Sequence, residues 1–305
     1  QIVVSSGAKH SLYNACQVLF QKNDEVIIFT PYWVSFPDFV AVTGAKPIFV
    51  DTDSSKQNEP NFNDLKNKIN KNTKGIIINS PSNPTGGVWS DEAILELLDV
   101  LKARPDIWIF SDECYEQLTY NTPFKSIATF NPALKNIITF QSCSKTYAMT
   151  GWRIGYLAGD IDLVKAVSKL QGQSTSCPNS IAQYAAIEAL AGNQTQVLEM
   201  KDVFHKRRDL ILKELNKIPH ITCEKPNGAF YVFPNFKYYL NKTTNDGKVI
   251  QTSSDLSLYI LDQTGVVTVA GDSFGAPDNI RLSYATSDTI IIEACKRMKS
   301  ALCKL

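Results

Sequence analysis

The run Ser142-Cys143-Ser144-Lys145, with Arg153 eight residues further on, combines two hydroxyls, an amine and a guanidinium at short spacing. Such a set suits a phosphorylated aldehyde. Hydroxyls and an arginine fork give a phosphate short, directional hydrogen bonds, and a lysine amine among them can form an imine with the aldehyde. Most lysines are solvated surface residues. Here the flanking residues are unusual for a surface loop, and the apolar run NIITFQ before them puts Ser142, Ser144 and Lys145 at the carboxyl end of a strand, with Arg153 nearby.

A second set lies in IWIFSDECYEQL. Asp112 ends an apolar strand run, where an unpaired carboxylate is costly. A protonated pyridine nitrogen would answer it and keep a cofactor ring electron-poor. The plainer alternative is an aspartate capping a helix. Tyr115 follows at one helical turn and could reach the same ring. In INSPSNPTGG, Asn83 sits between prolines on a tight loop after a strand, so that its amide is aimed. In SSGAKHSL a strand ends, Gly7 follows, and a helix starts at Ala8 and Lys9; free N–H groups at a helix start attract anions. Trp33, in PYW, offers a flat face for stacking or is simply a core residue. Arg281, in NIRLSYAT, could clamp a carboxylate or form a structural ion pair.

These residues need a frame that brings them together. QIVVSS, EVIIFT, KPIFV, GIIINS, IWIFSD, NIITFQS and RIGYLAG read as short strands. Helical patterns fall between them at residues 8–21, 34–43, 91–102 and 161–173. The alternation predicts an α/β fold: a mostly parallel sheet covered on both faces, with ligands at the carboxyl ends of its strands. Residues 180–217 read as helical with a break at Gly192-Asn193. After Pro219 come short strands in AFYVFPNF, VVTVAG and NIRLSY, helices near 255–264 and 288–304, and the polar loop LNKTTNDGKVIQTSS. Two domains are expected, residues 1–207 and a smaller α+β unit over 208–305.

Bulk properties exclude other classes. The chain of 305 residues is 44% hydrophobic with a formal net charge of +1, so neither nucleic acid nor a membrane surface is an expected partner. No apolar run approaches the roughly 20 residues of a membrane span. Seven widely spaced cysteines without CxxC argue against a disulfide scaffold and suit a reducing compartment, and three scattered histidines give no metal-ligand spacing. The start QIVVSSGAKHS lacks an initiator Met and the features of a signal peptide, and an N-terminally truncated piece of a longer protein is expected. The cytoplasm is the expected compartment; any organellar targeting segment would precede residue 1.

In the order SGAK, PYW, NPTG, SDECY, SxSK, Arg153 and RLSYA, the motifs resemble the aspartate aminotransferase family, class I/II aminotransferases of fold type I, over essentially the whole chain. The SKTYAMTGWRIGY segment with GAK is closer to the bacterial type Ib subgroup. The resemblance implies a mixed-sheet large domain, a smaller C-terminal domain and pyridoxal 5'-phosphate as cofactor. It makes Lys145 the Schiff-base lysine and proton shuttle, Asp112 the partner of the pyridine nitrogen, and Tyr115 and Asn83 the ligands of the ring hydroxyl. Trp33 becomes the stacking aromatic. Gly7, Ala8, Lys9, Ser142, Ser144 and Arg153 become the phosphate cup, and Arg281 the α-carboxylate clamp. Lys9 is also the candidate for a second, distal substrate carboxylate, with Asn83 and Trp33 beside the substrate.

The implied reaction moves an amino group from an L-amino acid, aspartate by default, to a 2-oxo acid such as 2-oxoglutarate, in a homodimer whose active sites lie at the interface. The family's site-closing N-terminal segment, and the tyrosine that reaches the neighbouring subunit's phosphate, are not in this sequence. A β-lyase, a cyclopropane-forming synthase and a non-catalytic cofactor-binding protein are the alternatives. Prephenate, aromatic and alanine donors remain open.

Overall fold

The computed structural model describes residues 1–121 and 123–305. Its first part runs β1 (Ile2–Ser5), α1 (Ala8–Leu19), β2 (Glu25–Thr30), α2 (Ser35–Ala41), β3 (Lys46–Asp53), β4 (Glu59–Pro60) and α3 (Phe62–Lys68). It continues with β5 (Thr73–Asn79), α4 (Asp91–Leu101), β6 (Trp108–Asp112), β7 (Ile137–Ser142), α5 (Cys143–Thr146), β8 (Gly155–Ala158) and α6 (Ile161–Gly172). Then come α7 (Ser180–Ala191), α8 (Thr195–Leu215), β9 (Tyr231–Val232), α9 (Ser253–Thr264), β10 (Val269–Ala270), β11 (Ile280–Ser283) and α10 (Asp288–Leu302).

The strands are apolar on both sides because helices cover both faces of the sheet. In β2, Val26 and Ile28 pack with Leu12, Ala15 and Cys16 of α1 and with Leu163 and Val167 of α6. The alternate residues Ile27 and Phe29 pack with Leu65 of α3 and with Ile94, Leu97 and Leu101 of α4. Period-2 alternation sends each set to its own layer, and each fully buried side chain of this kind contributes about 1.5–3 kcal/mol. The α4 helix shows how local sequence agrees with this packing. Ser90 caps it by accepting a bond from the Ala93 N–H at 3.1 Å, and Asp91 and Glu92 in its first turn favour the positive end of the helix dipole.

The eight-stranded sheet has the order β1-β8-β7-β6-β5-β2-β3-β4. From β7 to β3 the strands are parallel, so Ser142, Asp112, Asn79 and Thr30 reach the same edge. Strand β8 runs antiparallel to both its neighbours and pairs its first residue, Gly155, with Ser5 on one side and Ser142 on the other. The edge that carries the strand ends thus also receives the start of α1.

A three-stranded antiparallel sheet, order β10-β11-β9, packs with α8, α9 and α10 around Ile211, Val232, Leu256, Ile260, Ile280, Ile291 and Met298. Tyr115, Leu118 and Tyr120, from the turn after β6, belong to the same cluster and tie the two parts together. Residues 207 and 208, where the sequence suggests a domain boundary, lie inside α8, and Arg208 is fully buried there under the Tyr120 ring. Among the described residues no helix is long and apolar enough to cross a membrane.

Candidate active site

A cavity of about 380 Å³ opens at the shared strand edge, between the large sheet and β9 and β11. Its walls include Ala8, Lys9, Trp33, Asn83, Asp112, Tyr115, Ser142, Ser144, Lys145, Arg153 and Arg281. Gly7 borders it through Arg153, whose guanidinium occupies the space where a side chain at residue 7 would sit. Every residue singled out in the sequence is therefore in or against one chamber. Sequence reasoning did not single out Asn79, Cys114, Thr150 and Tyr231, which line it as well.

Lys145 stands in the four-residue helix α5, begun where Ser142 accepts the Ser144 N–H at 3.0 Å. Its Nζ lies 5.8 Å from the Phe230 ring centre and 6.0 Å from that of Tyr115. Burial pulls its pKa below the usual lysine value, and the Arg281 and Arg153 charges act in the same direction. The amine is thereby biased toward the neutral, nucleophilic form.

Asp112 is 5% exposed. Burial pushes its carboxyl above the usual range, opposed by hydrogen bonding to Cys114 and by the charge of Lys145. Its one hydrogen bond to a protein N–H among the described residues comes from Cys114 at 3.3 Å. The residues directly after β6 form turns and no helix starts at Asp112, which removes the helix-cap alternative. Tyr115 reaches the chamber from a tight turn rather than one turn along a helix, with Glu116 N–H bonded to Glu113 C=O and Leu118 N–H to Tyr115 C=O.

Asn83 is held by Asn79, whose Oδ1 accepts the Asn83 N–H at 2.7 Å while its Nδ2 donates to the Asp112 carbonyl at 3.1 Å. The free amide oxygen of Asn83 faces Arg281, accepting Nη1 at 2.8 Å. Trp33 is half-buried and braced edge-on by Phe36 and Phe39, and the Lys9 ammonium lies 4.9 Å from its ring centre.

The walls fit pyridoxal phosphate on three counts. Among the described residues no cation stands at contact distance from the buried Asp112 carboxyl, and a ring N–H would supply one. The α1 helix starts after Gly7 with no side-chain cap and no acidic residue in its first turn, and its first residues, Ala8 and Lys9, line the cavity together with Ser144 and Arg153. Gly155 makes this approach possible, since a Cβ there would collide with the Ala8 nitrogen, Gly7 and the Gln141 carbonyl. Within the cup, the Ser142 hydroxyl is already engaged, accepting from Ser144 N–H and donating to Ile154 C=O at 3.3 Å, so Ser144, Arg153 and the helix start are the freer donors.

Residues 1–298 match the family described as aminotransferase class I and II. The chain is 44% identical over 301 residues to a probable aspartate/prephenate aminotransferase of Rhizobium leguminosarum bv. phaseoli, covering 98% of this chain and 75% of that protein. It is 43% identical to an aspartate aminotransferase of Bacillus subtilis, with the same coverage. Among solved structures, the aspartate aminotransferase from Rhizobium meliloti superposes with a TM-score of 0.95 at 40% identity, covering 100% of this chain and 77% of that one. An aromatic aminotransferase from Pyrococcus horikoshii does so with a TM-score of 0.92 at 33% identity, covering 99% and 79%. Family, fold and chamber agree, and the chain belongs to the class I and II aminotransferases, pyridoxal-phosphate-dependent enzymes of fold type I.

Proposed function

We propose that this aminotransferase takes a dicarboxylic L-amino acid, aspartate first, as donor and a 2-oxo acid such as 2-oxoglutarate as acceptor. The observation that carries the reading is the meeting of Lys145, Asp112, Asn83, Tyr115 and Arg281 in one chamber with a second cation, Lys9, at its rim. Aspartate, in the relatives' names, supports the choice of donor, and prephenate, itself a 2-oxo acid, stands beside 2-oxoglutarate as a candidate acceptor.

Bound pyridoxal phosphate supplies an aldehyde carbon for imine exchange and a ring that takes up electrons. The chain's residues do the rest. The guanidinium of Arg281 holds the α-carboxylate and fixes which substrate bond faces Lys145. Nζ of Lys145, its pKa drawn below the usual lysine value by burial, removes the proton from the substrate Cα and returns it on the far side of the exchange. The Asp112 carboxylate opposes the ring nitrogen. Asn83 and Tyr115 address the ring hydroxyl, and Trp33 covers the ring face. The N–H groups of Ala8 and Lys9 at the Gly7 turn, with Ser142, Ser144 and Arg153, hold the phosphate. The Lys9 side chain takes the distal carboxylate. Two half-reactions on one site give ping-pong kinetics.

In this reading residues 1–207 form the cofactor domain and 208–305 the small domain, as the confinement of the two sheets to these stretches supports. A homodimer is proposed as well. The α7 helix leaves Ile181, Tyr184 and Ile187 exposed at 71%, 76% and 61%, an apolar stripe of the kind that subunits cover. The free state of all seven cysteines supports a reducing compartment, the cytoplasm. The test is a panel of amino donors with 2-oxoglutarate, read by formation of glutamate and of the matching oxo acid. Release of pyruvate and ammonia without an acceptor would instead identify a lyase.

A further inference from the structure

Tyr231 is the first residue of β9 and lines the chamber at 6% exposure. Its hydroxyl lies 3.1 Å from that of Tyr115, 116 residues away in sequence. Its ring lies under the Arg281 guanidinium, 4.6 Å from centroid to carbon. The sheet explains the second contact. Tyr231 pairs with Ser283 of β11, and Arg281, two residues before Ser283, projects from the same face, so the two side chains are diagonal neighbours. Phe274 stands 5.1 Å from the same guanidinium, which is thereby held between two rings with Nη1 directed at Asn83.

We propose that Tyr231 is a positioning residue with two functions: its hydroxyl sets the hydrogen-bond direction of Tyr115, and its ring holds Arg281 in the plane that receives a carboxylate. The inference rests on the roles given above to Tyr115 and Arg281. A phenol has one proton. If Tyr115 gives its proton to the ring oxygen of the cofactor, its own oxygen can only accept, and at this buried position Tyr231 is the hydroxyl within reach. Burial raises both phenols, so the pair stays protonated over the working pH range. Without Tyr231 the Tyr115 hydroxyl is a weaker and less directed donor. The stacked ring in turn replaces part of the solvation that Arg281 loses in the chamber.

The experiment compares Tyr231→Phe, Tyr231→Leu, Tyr115→Phe and the double variant Tyr115→Phe/Tyr231→Phe as holoenzymes. One readout is the pH midpoint of the bound cofactor's visible absorbance change; the others are kcat and KM for aspartate and alanine. In Tyr231→Phe the midpoint should move upward by roughly half a unit to one unit, the equivalent of one neutral hydrogen bond. A ring oxygen with a weaker donor carries more negative charge and retains the neighbouring proton to higher pH. KM should stay within about twofold while kcat falls, because the ring under Arg281 remains. In the Tyr115→Phe background the same change should add no shift. Tyr231→Leu should in addition raise KM for both donors about tenfold, for loss of the cation–π contact.

An unmoved midpoint in Tyr231→Phe, or an equal shift with and without Tyr115, overturns the hydroxyl function. An unchanged KM in a folded Tyr231→Leu overturns the ring function; if the leucine variant does not fold, Tyr231→Met, which also removes the ring, takes its place with the same expected rise in KM. A wild-type protein with no lysine-linked absorbance removes the reading of the site itself, and this inference with it. A normal wild-type titration beside an unshifted Tyr231→Phe overturns this inference only.

Discussion

Nη1 of Arg281 donates to the side-chain oxygen of Asn83 at 2.8 Å, joining β11 to the loop after β5 across 198 residues of sequence. The guanidinium proposed to clamp the substrate carboxylate is thus oriented by the residue proposed to address the cofactor's ring hydroxyl. Replacing Arg281 by Lys keeps the charge and loses the planar fork. KM should rise about ten- to a hundredfold for every amino donor, the equivalent of one or two charge-assisted hydrogen bonds. Lys9→Ala should by contrast raise KM for aspartate while sparing alanine and phenylalanine. Steady-state kinetics on the three donors decides both, and an Arg281→Lys effect confined to aspartate would exchange the assignments.

Borohydride treatment of the holoenzyme should attach the cofactor to Lys145, located by peptide mass spectrometry. Lys145→Ala should still bind pyridoxal phosphate through the other contacts and be incapable of the proton transfer. Label on any other lysine would sink the assignment.

Asp112→Ala should leave the fold largely intact, because the residue ends β6 and caps no helix. Removing the buried carboxylate proposed to oppose the ring nitrogen should depress kcat by about three orders of magnitude, the loss typical of a preorganised electrostatic partner. Near-normal turnover in a folded Asp112→Ala would show that the carboxylate serves structure alone.

Next to Asp112, the Glu113 side chain points to the opposite face of the sheet. It is 1% exposed and accepts from the Ser111 and Ser126 hydroxyls at 2.8 and 2.9 Å and from the Ile127 N–H. Burial outweighs these bonds and pushes its carboxyl up to about 7, from the usual 4.5. Between those values the unfolded chain releases the proton and the folded chain keeps it, so stability should fall as pH rises through that window, by up to about 3 kcal/mol. Glu113→Gln should flatten this part of the curve, measured as denaturant midpoints at pH 5 and pH 8. Parallel pH profiles for wild type and variant would show that Glu113 does not titrate there.

Much of the frame is legible in the sequence for a physical reason. Strands β2, β5 and β6 are buried on both faces and so read as unbroken apolar runs, and the Gly192-Asn193 break falls in the gap between α7 and α8. What the sequence hides is direction and partnership. Nothing in RIGYLAG states that β8 runs against both neighbours, which is what brings Ser5 and Ser142 to opposite sides of Gly155. The run AFYVFPNF contributes only Tyr231 and Val232 to a strand. The meeting of Tyr231 with Tyr115 exists only once β9 is laid beside the turn after β6, and no local pattern encodes it. The Ser142 hydroxyl could be recognised as a hydroxyl at a strand end, but not as the cap of α5.

The Gly155 crossing also has a consequence for how the enzyme is made. One half of the proposed phosphate cup lies at the start of α1 and the other just after β7, and they come together where β1 closes onto β8, with Ser5 paired to Gly155. Contacts of such long sequence separation form late, because a large loop must close before they repay its entropy. A chain whose β1 has not yet docked can already carry Lys145 on α5 without having a place to seat a phosphate. In the proposed site, capture of the cofactor during refolding is therefore expected to wait for β1 to dock on β8.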